Sequence, residues 1–142
     1  MKANELMIGD WITVECEQGD GSIDYLDGIV DMIDEDGITL KGTDEDPLLC
    51  YVNPIEITVE ILEANGFTKE TVCNDEQRYL LHINDCCIIW ADLARWYFDI
   101  TSNKGELRDF RTSHVHELQH ALRLVGLDDL ADNFKVEEGG RQ

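Results

Sequence analysis

Apolar and polar residues alternate from Trp11 to Cys16, with Ile12, Val14 and Cys16 on one face and Trp11, Thr13 and Glu15 on the other, as a half-buried strand requires. Gly19-Asp20-Gly21 turns the chain toward a second apolar segment, Gly28 to Ile33. Asp36-Gly37, a strong hairpin signal, separates it from Ile38 to Leu40, and Leu48 to Val52 supplies a fourth strand. Short strands packed this closely predict a small SH3-like β-barrel over residues 1–57, because closure hides the edges of so short a sheet.

The pattern then changes. Thr58 is suited to cap a two-turn helix with Ile61 and Leu62 on its buried edge, and Asn65-Gly66 followed by Phe67 matches a left-handed C-cap with its hydrophobic contact. Tyr79 to Ile83, Cys86 to Asp92 and Arg95 to Ile100 read as three strands of an antiparallel meander, with Asn84-Asp85 as the first turn. In the last strand Trp96, Phe98 and Ile100 form one face, and Arg95, Tyr97 and Asp99 the other. Thr101 to Thr112 is polar and is expected to be a loop. Ser113 is then placed to cap a helix with Val115, Leu118, Leu122 and Val125 along one stripe and Gly126 to stop it. After Leu127 the chain is acidic and is expected to fray at its end. The fold class that follows is α+β: a barrel in 1–57, then helix, meander and C-terminal helix in 58–142.

Charge sharpens this picture. The net charge is -20, and residues 1–60 hold sixteen Asp and Glu against Lys2 and Lys41. Such a field repels nucleic acid and anionic membranes, so the expected partner is a basic protein, with no direct nucleic acid and no membrane contact. A sharper reading is that the acidic first half imitates a phosphate backbone and occupies a nucleic-acid-binding protein. The five cysteines, Cys16, Cys50, Cys73, Cys86 and Cys87, include no C-x-x-C spacing. They suggest reduced thiols rather than a disulfide framework or zinc ribbon. With no long apolar run and no basic start leading into an apolar stretch, the expected location is the cytoplasm.

One motif asks to be an enzyme. His116-Glu117-Leu118-Gln119-His120 matches H-E-x-x-H, in which two histidines a helical turn apart share zinc and the glutamate activates bound water. At about 100° per residue His116 and His120 point nearly opposite the apolar stripe, toward either a cleft or solvent. A catalytic zinc also needs a third protein ligand. The extended motif fails, with Arg123 at its glycine position and Gly126 at its third histidine; Asp128, Asp129, Asp132, Glu137 and Glu138 are the downstream carboxylates. Arg123 would oppose a dication beside His120, and His114 points well away from the pair. The acidic turn Asp34-Glu35-Asp36-Gly37 fails as an EF-hand, with Met32 and Thr43 at the first and twelfth ligand positions. No G-x-S-x-G, glycine-rich phosphate loop or basic-aromatic stripe is present.

Three stretches together carry a resemblance: Ala3 to Trp11, Asn53-Pro54-Ile55 on to Ile61-Leu62-Glu63-Ala64-Asn65-Gly66-Phe67, and Val115-His116-Glu117-Leu118-Gln119-His120 with Leu122. They resemble a group of small uncharacterised Bacteroidetes proteins often associated with phage-like or mobile elements. That resemblance implies no catalytic residue. The expectation is therefore a non-enzymatic accessory or protein-interaction protein without a cofactor. The alternative is a zinc-dependent hydrolase using His116, Glu117 and His120.

Overall fold

The computed structural model describes residues 6–17, 19–34, 37–42, 51–70 and 78–136. They form an α+β structure rich in strands, with two compact units: Met1–Glu56 with His114–His116, and Ile57–Ser113 with Glu117–Gln142.

In the first unit β1 (Trp11–Glu17), β2 (Ile23–Asp34), β3 (Gly37–Leu40) and β4 (Tyr51–Pro54) make an antiparallel sheet in the order β3-β2-β1-β4. The alternation in β1 buries Ile12 and Val14 in one core with Leu6, Val30, Ile38 and Leu40. Gly28 sits opposite Ile12, and a Cβ there would stand 2.8 Å from Leu40 Cδ1. Leu40 is itself buried, so glycine is what lets this side chain close the core. β2 begins at Ile23 rather than near Gly28, because its first half is held by pairing with β1 while Ile23, Tyr25 and Leu26 remain exposed.

The SH3-like barrel expected over residues 1–57 is not formed. β3 and β4 are opposite edges, and among the described residues they do not pair, so the sheet is open. The physical reason is that one face, covered by Leu6 and flanked by Ile33 and Val52, already buries the apolar set without closure. Glu35, Asp36 and Leu48 to Cys50 lie outside the described residues; β2 and β3 are joined through the pair Asp34 and Gly37. The segment His114–His116 adds a bridge between Glu56 and His114, with the Val115 N–H donating to the Ile55 carbonyl.

The second unit opens with α1 (Val59–Ala64). Thr58 caps it through its hydroxyl, which accepts from the Ile61 N–H. Gly66, at φ +95, ends it while Phe67 N–H reaches the Leu62 carbonyl and Gly66 N–H that of Glu63, a Schellman closure that buries Phe67. The sheet has five strands in sequential antiparallel order, not three: β5 (Thr68–Lys69), β6 (Arg78–Asn84), β7 (Cys87–Asp92), β8 (Tyr97–Thr101) and β9 (Glu106–Arg111). The second half of the expected loop Thr101 to Thr112 is thus almost entirely β9 (Glu106–Arg111). Tyr79, Ile89, Ala91, Phe98 and Ile100 are buried, whereas Trp96 lies in the β7–β8 turn at φ +53 rather than on that face.

α2 (Val115–Leu124) starts two residues after Ser113, so His114, not Ser113, flanks it. Gly126, at φ +81, stops it by a second Schellman closure, in which Leu127 N–H bonds the Leu122 carbonyl and Gly126 N–H that of Arg123. The chain beyond does not run straight into a tail. α3 (Asp128–Asp132) follows, and Ala131, Phe134 and Val136 are buried. No described helix is long and apolar enough to cross a membrane.

Candidate functional site

α2 is buried over more than half its circumference, at Val115, His116, Leu118, Gln119, Ala121 and Leu122, and Val125 just beyond it is buried too. Of the two directions open to His116, a cleft or solvent, solvent is overturned, since the residue is 5% exposed. Its ring stacks on that of His114 at 5.9 Å between centroids and 13° between planes, and His114 Nε2 lies 3.6 Å from Glu56 Oε1. Glu117 is exposed, and its carboxylate accepts from the Thr112 hydroxyl at 2.8 Å. Gln119, fully buried, donates from its amide to the Ala131 carbonyl at 3.0 Å, which fastens α3 to α2. His120 is half-buried. Arg123 is largely enclosed and lies 3.6 Å from the Asp132 carboxylate. The motif's residues thus enter different surroundings. Among the described residues no group of three or more His, Cys, Asp and Glu side chains is arranged to hold a metal ion.

These positions give a test of the zinc alternative. Protein purified without a histidine tag is expected to contain no stoichiometric zinc by elemental analysis. His116→Ala is expected to cost about 1–3 kcal/mol in chemical denaturation, because it empties a packed position, with His120→Ala costing less. One zinc per chain that both variants lose would instead make Glu117 the general base.

A different constellation lies on the outer face of the five-stranded sheet. Strand register places Arg78 opposite Asp92, Asp92 opposite Tyr97, and Tyr97 opposite Arg111. This row crosses β6 to β9, a span of about 14 Å at normal strand spacing. Beside it Leu80, Trp90 and Asp99 form a second row. The face hollows into an open concavity of about 350 Å³ lined by Arg78, Arg95, Arg108, Arg111, Tyr97 and three aspartates, Asp92, Asp99 and Asp109. An adjoining hollow of about 210 Å³ reaches Trp90.

Hydrogen bonds fix this wall. The buried Asp92 carboxylate accepts from Ala94 N–H at 3.0 Å and shapes the turn that carries Arg95. Asp99 accepts the Tyr97 hydroxyl at 2.6 Å on one oxygen and the Asp109 N–H at 2.9 Å on the other. That donation to Asp99, with lesser contributions from desolvation and nearby carboxylate charge, raises the Tyr97 pKa and keeps its hydroxyl protonated. Asp109, which lines this hollow, is at φ +54, and Trp96, the other left-handed non-glycine residue among those described, stands in the chain between the lining residues Arg95 and Tyr97. Such residues cost roughly 1–3 kcal/mol each and persist where surrounding structure holds them.

Arg108 pairs with Glu106, whose hydrogen bond raises the guanidinium pKa, and Arg111 pairs with Asp109 at 3.1 Å. Both pairs are well exposed, and exposed pairs of this kind contribute little, so their guanidiniums can exchange to an incoming anion. No protein-family model, curated protein or solved structure matches the chain.

The sequence reading missed this site because its arginines come from three separate segments, β6, the β7–β8 turn and β9. A usable signal was present in β8, where Tyr97 and Asp99 were already assigned to the face opposite Phe98 and Ile100. Extending that phase across the neighbouring strands brings Arg78 and Arg111 beside them.

Proposed function

We propose that this chain is a non-enzymatic accessory protein that acts by binding a partner, and that the arginine-lined hollow of the second unit is its main contact surface. The observation that carries this reading is concentration of charge against the background. In a chain of net charge -20, four of the six arginines line one hollow together with Tyr97 and, beside it, Trp90. Arginine and large aromatics are the side chains that anchor interfaces, because they bury much area and bond through a rigid fork. The resemblance to proteins of mobile elements supports an accessory role, in the cytoplasm, without naming the process.

The acidic excess in residues 1–60 supports a second contact, with a basic protein, to which β2 offers the exposed Asp24 and Asp31. A phosphate mimic would use the same carboxylates.

A titration followed by backbone and indole NMR shifts tests both contacts. At low salt, hexaglutamate is expected to move signals of β6 to β9, and Arg95→Ala with Arg111→Ala to abolish those shifts. Hexalysine is expected to move signals of β1 and β2 instead. Silence at β6 to β9 with hexaglutamate, inorganic phosphate and an oligothymidylate alike, or turnover of a peptide by the purified protein, would overturn the reading.

A further inference from the structure

β9 is an outer edge of the five-stranded sheet: it pairs with β8, and among the described residues no other strand pairs with it. Its side chains Glu106, Arg108, Asp109 and Arg111 are exposed. An edge strand presents a row of outward backbone N–H and C=O groups to which a further strand can add. Charged residues and a bulge guard such an edge against indiscriminate pairing. Here the strand's own charges balance, Glu106 and Asp109 against Arg108 and Arg111, but both arginines also line the hollow beside the strand, where four arginines outnumber three aspartates.

The lining decides what chemistry would lie there. Its four arginines face three aspartates. A phosphate tract would satisfy the arginines and leave its oxygens against Asp92, Asp99 and Asp109. An extended acidic peptide offers both signs of partner. Its side-chain carboxylates suit the guanidinium forks, while its backbone N–H and C=O groups can donate to and accept from the strand edge, where a phosphate tract could only accept. Alternate peptide residues point to the same face, so acidic residues at every second position would all lie over the arginine side while the others face away.

We infer that β9 accepts an extended acidic peptide segment as an added strand, with Arg108 and Arg111, the arginines this strand itself carries, engaging its carboxylates. This rests on the binding role proposed above and specifies the partner segment. The bulge at Asp109 limits the added strand, since the Asp109 N–H is already given to Asp99. Pairing is therefore expected on either side of that residue rather than through it.

The test uses the full chain and three capped hexapeptides: alternating Glu-Val, alternating Lys-Val, and a Glu-Val peptide N-methylated at alternate residues. The Glu-Val peptide is expected to bind, with affinity falling steeply as salt rises, and to slow amide exchange in β9 at least tenfold at saturation. Lys-Val should not bind. Arg108→Ala with Arg111→Ala, at exposed positions that leave the fold intact by circular dichroism, should weaken binding tenfold or more. N-methylation leaves the charge unchanged but removes peptide donors, and is expected to weaken binding by a similar factor.

Binding of the Glu-Val peptide without protection of β9, or with full tolerance of N-methylation, would overturn strand addition while leaving the arginine hollow as a contact surface. Equal binding of an oligothymidylate would overturn the choice of a peptide. No binding of any anionic probe would overturn both proposals together.

Discussion

Phe98→Ala is expected to lower the unfolding free energy by about 3–5 kcal/mol, the range for deleting a buried phenyl ring. Phe98 lies at the centre of the second unit's sheet, opposite Ala91 on β7 and Phe110 on β9. It is fully buried, as are Ile89 and Ile100 on the same strands. Neighbours this closely held relax only partly into the space a ring leaves, so the lost transfer energy and the cavity both count. Against a typical total of about 5–15 kcal/mol, such a loss would bring the unit near its threshold. Urea titration measures it: the midpoint should fall with little change in slope. A loss under about 1 kcal/mol would mean that Phe98 does not sit in a packed core.

The same residues explain what the sequence reading reached and what it could not. β1 was legible because one of its faces is buried and the other is not, so its polarity alternates with the pleat. α1 was legible to the residue, since Thr58 and Gly66 act through local hydrogen bonds that need no tertiary context. β9 was hidden by its own bulge. Its two apolar residues, Leu107 and Phe110, are three apart, which breaks the two-residue period and reads as a loop. The pairing of Phe110 with Phe98 and of Leu107 with Ile100 shifts register by one residue, where Asp109 takes a left-handed φ. The extra residue returns both apolar side chains to the phase of the strand.

α3 was hidden for a different reason. Five residues are too short to carry a helical period, and its aspartates were read with the acidic tail. The burial of His116 and Gln119 could not be read from the helix alone, because periodicity weighs their polarity and not what covers them. Gln119 is tolerated inside because its amide reaches a carbonyl that α3 supplies. The barrel was inferred from strand number and spacing, but closure depends on pairing between the outermost strands. No local pattern encodes that pairing. The arginine hollow shares this property, since it exists only once four strands are in register.

Leu118→Ala is expected to cost about 2–4 kcal/mol, within the span measured for emptying buried leucine positions. Leu118 is 1% exposed. It occupies the middle of the buried arc of α2, with Val115 and Leu122 a turn away on either side, each buried. Helix propensity cannot supply the loss, because alanine is the better helix former and would by itself add a few tenths of a kcal/mol. Any destabilisation therefore measures packing. Leu124→Ala on the same helix is the control, because Leu124 is 76% exposed. That change is expected to stay within about 0.5 kcal/mol of the parent. The two variants differ only in which side of the helix is shortened, so similar losses at both would refute the assignment of the buried arc. A large loss at Leu118 alone would also leave the outer face of α2 free to vary, and with it Glu117, whose contact with Thr112 lies on that side.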